Sequence, residues 1–212
     1  LNTDGIFWLG QSAFRIESGG KVLYIDPYMI TDPAKKADII LITHAHFDHC
    51  SVGDIQQITK KDSFIVSAES CAGKFENEVK TMRAGDVLDA AGFTVVAVRA
   101  YNTDKNFHPK SSGWLGFVVT LPDGRRIYHA GDTDNIPEMK DIKNIDIAFL
   151  PVGGTYTMDA EEAASAALVI SPKIAVPMHY GSVVGSSADA GQFASLLKGK
   201  IKTVIMGSGL DI

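Results

Sequence analysis

Thr43-His44-Ala45-His46-Phe47-Asp48-His49 follows directly on the apolar run Ile39-Ile40-Leu41-Ile42. The run is short, rich in β-branched side chains and bounded by polar residues, so it predicts a buried strand. Three imidazoles and one carboxylate then fall within six consecutive positions in the loop at that strand's C-terminal end. That is where α/β sheets place their chemistry. Neutral imidazole and carboxylate suit zinc and its first-row neighbours. Packed this closely, the four groups would repel one another without a cation to share. The plainer alternative is a polar turn that happens to be rich in histidine.

Working outward, the 212 residues are enough for one large domain or two small ones with a sizeable core. Composition is that of an ordinary globular protein, 45% hydrophobic and 21% charged, which excludes collagen, coiled coil and disorder. A net charge of −5 argues against a general nucleic-acid-binding surface. No apolar run reaches the length of a membrane span. Leu1-Asn2-Thr3-Asp4-Gly5 has neither the basic start nor the apolar core of a signal peptide. Cys50 and Cys71 make no disulfide framework, so a cytoplasmic protein is expected.

Short strands are predicted at 6–9, 13–17 and 22–25, separated by turn residues and closed by Asp26-Pro27. Beyond the histidine loop a helix is expected over 52–59 with Ser51 as N-cap, a strand at 64–67, a helix over 69–79 and a strand at 93–100. Residues 101–112 are polar, aperiodic and contain Pro109, a long loop of the kind that carries function. Strands follow at 114–121, 126–129, 145–150 and 174–178, with a closing strand at 204–206. Helices are expected over 159–170, where Asp159 and Glu162 stand at capping-box spacing, and over 188–197. No linker interrupts this order, and the two halves resemble each other in their sequence of elements. One domain with two sheets between helical layers accounts for it.

All six histidines, His44, His46, His49, His108, His129 and His179, fall at or next to strand ends. Ala130-Gly131-Asp132-Thr133 follows one strand and Pro177-Met178-His179-Tyr180-Gly181 ends another. Several strand ends converging is how a sheet assembles a multi-ligand metal centre. With the His-x-His-x-Asp-His run at 44–49, the Gly131-Asp132 pair and the late His179, the chain resembles the metallo-β-lactamase fold superfamily. Within it the chain looks most like the UlaG-like group of metal-dependent hydrolases. Supporting stretches are Phe7-Trp8-Leu9-Gly10-Gln11-Ser12-Ala13-Phe14, Ile25-Asp26-Pro27, the run from Tyr128 to Thr133, and Pro151-Val152-Gly153-Gly154-Thr155-Tyr156-Thr157-Met158.

The resemblance implies an α/β fold, a four-layer αββα sandwich of two mixed sheets flanked by helices, as a single domain over 1–212. It also implies one or two divalent ions, zinc by default, with Mn, Fe or Ni also suited. His44 and His46 would bind the first. Asp48, His49 and His179 would bind the second, with Asp132 bridging. Asp26 would fix the tautomer of a ligand imidazole, or else merely start an Asp-Pro turn. Many relatives carry a third first-site histidine just after the strand that here ends at Ala100, where this chain reads Tyr101-Asn102. His108, six residues on, is the replacement expected, with substrate binding or loop packing as its other roles. His129 is read as support or core, and Cys50 as packing.

Such a site hydrolyses an ester, lactone, amide, thioester or phosphodiester, with Asp48 and Asp132 as the catalytic carboxylates that orient water and shuttle its proton. Lys105 and Lys110 flank His108 and suggest a small anionic substrate. Asn102, Tyr156 and Tyr180 are further candidates for substrate contact. An L-ascorbate-6-phosphate lactonase-like enzyme, a nucleotide or RNA phosphodiesterase and a non-catalytic metal-binding protein are the alternatives. The expected partner is a small molecule, with no membrane or nucleic acid, and a homo-oligomer stays open.

Overall fold

The computed structural model describes residues 2–31, 33, 35–76 and 78–207. β1 (Ile6–Gly10), β2 (Ala13–Ser18) and β3 (Lys21–Ile25) form an antiparallel meander, which β4 (Ile39–Ile42), β5 (Phe64–Ala68) and β6 (Val79–Met82) extend in parallel. The second sheet repeats the scheme. β7 (Val87–Ala90), β8 (Phe93–Arg99), β9 (Leu115–Thr120) and β10 (Arg126–His129) are antiparallel neighbours, and β11 (Ile147–Pro151), β12 (Ile174–Met178) and β13 (Lys202–Thr203) follow in parallel.

The wholly apolar β4 explains how the layers stack. Successive strand side chains point to opposite faces, and all four of its residues are buried. Ile39 and Leu41 join the core shared with Phe93, Phe117 and Phe149 of the second sheet. Ile40 and Ile42 instead join Ile55 and Ile58 of α1 (Val52–Ile58) on the outer face. Phe14 of β2 stacks on Phe149 of β11 with ring centroids 4.1 Å apart, tying sheet to sheet. The far face of the second sheet is covered by α2 (Ala160–Ile170) and α3 (Ser187–Leu197). Both begin with reciprocal caps, Asp159 with Glu162 and Ser186 with Asp189. The α/β architecture is therefore the expected one, two mixed sheets flanked by helices.

Three local expectations are corrected. Residues 69–79 do not form a helix: Glu69–Lys74 is a 3₁₀ segment, the chain re-enters the first sheet at Val79, and residue 77 lies outside the described residues. No side chain caps that segment, it contains Gly73, and Cys71 is its sole buried residue, so it has no apolar stripe to hold an α-helix. The closing strand is Lys202–Thr203 rather than 204–206, because pairing with β12 begins at Ile174 and Ala175. Val204 N still donates to Ala175 O at 3.0 Å, after which the backbone leaves the sheet. Ser51 precedes α1 but makes no cap bond. Its hydroxyl donates to Asp54 Oδ2 at 2.6 Å, and that carboxylate also accepts from the backbone of Met29 and Ile30.

Candidate metal centre

Beyond β4 the chain makes a tight turn, with His49 N and Cys50 N both donating to His46 O at 3.1 and 2.8 Å. This turn folds the side chains of His44, His46, Asp48 and His49 toward one place. From the second sheet, β10 leads through Gly131 to Asp132, and β12 leads to His179. Gly131 has φ +65°, and a Cβ there would lie 2.5 Å from Leu115 O and 3.3 Å from the Thr43 side chain. Only glycine lets β10 deliver Asp132 so close to the histidine loop. His179 itself takes φ +58°, its N–H donating to Gln11 O at 2.8 Å.

Two ligand sets result. In the first, one atom each from His44, His46, His108 and Asp132 lies within 4.8 Å of all the others, and in the second the same holds for Asp48, His49 and His179. Asp132 faces both. Its Oδ2 stands 3.1 Å from His108 Nε2 and 3.8 Å from His44 Nε2, and also 3.1 Å from His179 Nε2. Its Oδ1 stands 3.2 Å from His49 Nε2. Asp48 Oδ2 completes the second set at 3.4 Å from His49 and 3.6 Å from His179.

The surrounding hydrogen bonds fix which ring nitrogens point inward. The Asp26 carboxylate accepts from Thr43 N at 2.8 Å, from the Thr43 hydroxyl at 2.7 Å and from His49 Nδ1 at 2.7 Å. Since the Thr43 hydroxyl gives its proton to Asp26, it accepts from His44 Nδ1 at 2.9 Å. Both rings therefore turn Nε2 toward Asp132. His108 is held in the same way, its Nδ1 donating to Asn102 Oδ1 at 3.0 Å and to Tyr156 O at 3.1 Å. Asn102 is anchored in turn, its amide donating to Asp134 Oδ1 and Tyr156 O at 2.9 Å each. Despite their short separations, His49 Nε2, His108 Nε2 and Asp132 Oδ1 are buried without a hydrogen-bond partner. Inward-facing nitrogens and carboxylate oxygens that approach closely yet make no hydrogen bonds are the donor set a divalent cation requires, so these residues fit a metal.

Electrostatics divide the two sets. Burial would lower His49 and His179, but the carboxylates of Asp132, Asp26 and Asp48 outweigh it, raising His49 well above the usual histidine range and His179 to about 9. His44 and His46 are pushed down, first by burial and then by neighbouring imidazoles. Asp132, which burial alone would raise, is held well below the carboxylate range by His179, His49 and His108.

The remaining candidates are placed as follows. His129 uses both ring nitrogens, Nε2 donating to Ser12 O at 2.9 Å and Nδ1 accepting from Gly131 N at 3.2 Å, so it braces the Gly131 turn. Tyr156 lines the cleft over the ligands. Asn102 positions His108 rather than facing the cleft. Lys105 lies against Asp134 at 2.9 Å and Glu162 at 3.7 Å. Lys110 lies against Glu138 at 3.0 Å and the Tyr101 hydroxyl at 3.1 Å, beside a separate depression. Tyr180 stacks on Trp8 at 4.8 Å and lines another cavity. The lysines and Tyr180 are therefore not brought to the ligands: acidic neighbours hold the two ammonium groups, and the Trp8 stack holds the phenol ring.

Four contributors went unrecognised in the sequence. Thr43 orients His44. Gln11 Nε2 donates to Asp48 Oδ2 at 2.9 Å. Trp114 packs on His44, His46 and His108 with centroids 4.8, 4.7 and 5.4 Å away. Asp134 anchors Asn102 and Lys105. Of these, Thr43 carried a signal, since it opens the ligand run, and Gln11 another, since it lies in the Phe7–Phe14 stretch that supports the family resemblance.

A family profile described as "Beta-lactamase superfamily domain" matches residues 5–179. A UPF0173 metal-dependent hydrolase of Pyrococcus abyssi is 36% identical over 223 residues, covering 97% of this chain and 97% of that protein. Among solved structures, a Parabacteroides distasonis protein assigned as a metal-dependent hydrolase is 37% identical, with TM-score 0.87 over 96% of this chain and 92% of that one. Igni18, a metallo hydrolase of the archaeon Ignicoccus hospitalis, is 26% identical, with TM-score 0.76 over 96% and 95%.

Proposed function

The chain belongs to the metallo-β-lactamase superfamily, among its UPF0173 metal-dependent hydrolases, and from that premise we propose a two-ion hydrolase of an ester, lactone or phosphodiester. The observation that carries this reading is Asp132, a single buried carboxylate turned with one oxygen or the other to every imidazole of both sets except His46. His44, His46, His108 and Asp132 would hold one ion, and Asp48, His49, His179 and Asp132 the other. Zinc is the expected metal, and the same donors suit Mn, Fe and Ni. When bound, the ions lower the pKa of the water they hold to about 7 and polarise the substrate oxygen.

The chain's own residues supply position and proton transfer. Asp48 and Asp132 would orient the attacking water, take up its proton and return it to the leaving oxygen. Gln11 keeps Asp48 aligned, Asp26 and Thr43 keep His49 and His44 aligned, and Asn102 keeps His108 aligned. A UlaG-like lactone-opening activity is one member of this class. No helix among the described residues is long and apolar enough to cross a membrane.

Elemental analysis of protein purified without added metal should give two ions per chain. Hydrolysis of p-nitrophenyl esters, lactones or bis-p-nitrophenyl phosphate should vanish on chelation and return with metal. Inactivity against every substrate with both sites loaded would overturn the reading.

A further inference from the structure

The cleft over the ligands encloses about 210 Å³ and is lined, beside the ligands themselves, by Phe47, Phe107, Tyr156 and Val183. Phe47 stands in the ligand loop between His46 and Asp48 and is 64% exposed, and Phe107 is 47% exposed. Water-facing phenyl rings beside a polar centre bring a loop no stability, and contiguous exposed apolar surface marks a binding site. Both rings are braced. Phe47 meets Tyr28 edge-on at 5.9 Å, and Phe107 meets Tyr156 at 4.8 Å with the rings perpendicular.

No lysine or arginine lines this cleft among the described residues. The two lysines that flank His108 in sequence are engaged elsewhere, Lys105 by Asp134 and Glu162 and Lys110 by Glu138, and Lys74, which reaches the ligand loop, donates to Ala45 O at 2.7 Å. Away from the ligand centre, an anionic substituent entering the cleft would meet phenyl edges and aliphatic carbon rather than a lysine or arginine, and would lose hydration without a partner.

We infer that the substrate is an uncharged ester or lactone whose acyl or alkoxy group is apolar, held against Phe47, Phe107 and Val183 while its carbonyl meets the ligand centre. This rests on the hydrolase reading and narrows it, replacing the anionic substrate expected from Lys105 and Lys110. Each added methylene buried against these side chains should improve recognition by about fourfold until the cleft is filled.

The test uses the metal-loaded full chain with p-nitrophenyl acetate, butyrate, hexanoate and octanoate, beside the p-nitrophenyl half-ester of succinic acid and bis-p-nitrophenyl phosphate. In parallel, calorimetry measures binding of the product carboxylates from acetate to octanoate. We expect kcat/KM and carboxylate affinity both to rise with chain length, and the charged substrates to fall at least tenfold below butyrate. Phe47→Ser and Phe107→Ser should flatten the chain-length dependence. Phe64→Ser, at an exposed phenylalanine of β5 outside the cleft, should leave it as in the unaltered chain. Ester hydrolysis with no chain-length dependence, or with the succinate half-ester preferred, would overturn the inference while sparing the hydrolase reading. Chain-length-dependent carboxylate binding without any hydrolysis would support the apolar cleft and sink the hydrolase reading. Neither binding nor hydrolysis of any compound would overturn both.

Discussion

His44 and His46 contribute to one ligand set and Asp48 and His49 to the other, yet these four residues come from one turn and experience opposite fields. In the first set three imidazoles share the single carboxylate of Asp132. In the second, two imidazoles face three carboxylates, those of Asp26, Asp48 and Asp132. The first set is also the more open, since His46 is half-buried while His49 and His179 are buried. Charge and burial together should make the second set the tighter holder of a cation, and the first the more exchangeable one.

Asp132→Asn is the most drastic way to break the contrast, because it removes the carboxylate both sets share. Both ions should be lost under mild chelation and kcat/KM should fall by about 10³-fold. A variant keeping both ions and most of its rate would mean that Asp132 does not bridge. Asp26→Asn acts mainly on one side, since Asp26 bonds His49 directly and reaches His44 only through Thr43. Losing the carboxylate behind His49 should weaken the second ion by about 10–100-fold in a chelator titration and the first by clearly less. Equal weakening at both would erase the distinction.

Asn102→Leu is the counterpart for the first set. It frees the His108 ring and should weaken the first ion by about tenfold with no change at the second, read in the same titration. Asp159→Ala gives the smallest effect and sharpens the contrast by touching neither set. It removes the side chain that accepts from Glu161 N and Glu162 N at the start of α2, so stability should drop by about 1 kcal/mol and Tm by about 2–4 °C. Metal affinities should not move.

Much of this was legible in the sequence wherever local pattern and tertiary role coincide. The apolar Ile39–Ile42 run is buried on both faces because it lies inside the first sheet, and the Asp159–Glu162 spacing does form a capping box. Where a role depends on a distant partner, the sequence was silent or misleading. Gln11 reaches Asp48 across 37 positions and Asn102 reaches Asp134 across 32, separations that no spacing rule addresses. The charge of Lys105 and Lys110 looked available for a ligand until Asp134 and Glu138 were found against them. Residues 69–79 looked helical by composition but belong partly to a strand, since pairing with β5 overrides local propensity.

The ligand residues are also spread in time. A ribosome adding about 5–20 residues per second exposes His44 through His49 early, and roughly 130 more residues must follow before His179 exists. Throughout that interval the nascent chain carries an incomplete cluster of imidazoles, whose preference among divalent ions would follow the Irving–Williams series rather than the finished geometry. Only when the second sheet closes and brings Asp132 and His179 against the turn does geometry take over. A centre with the finished geometry can therefore take its ions only after the whole run from His44 to His179 has been made and folded.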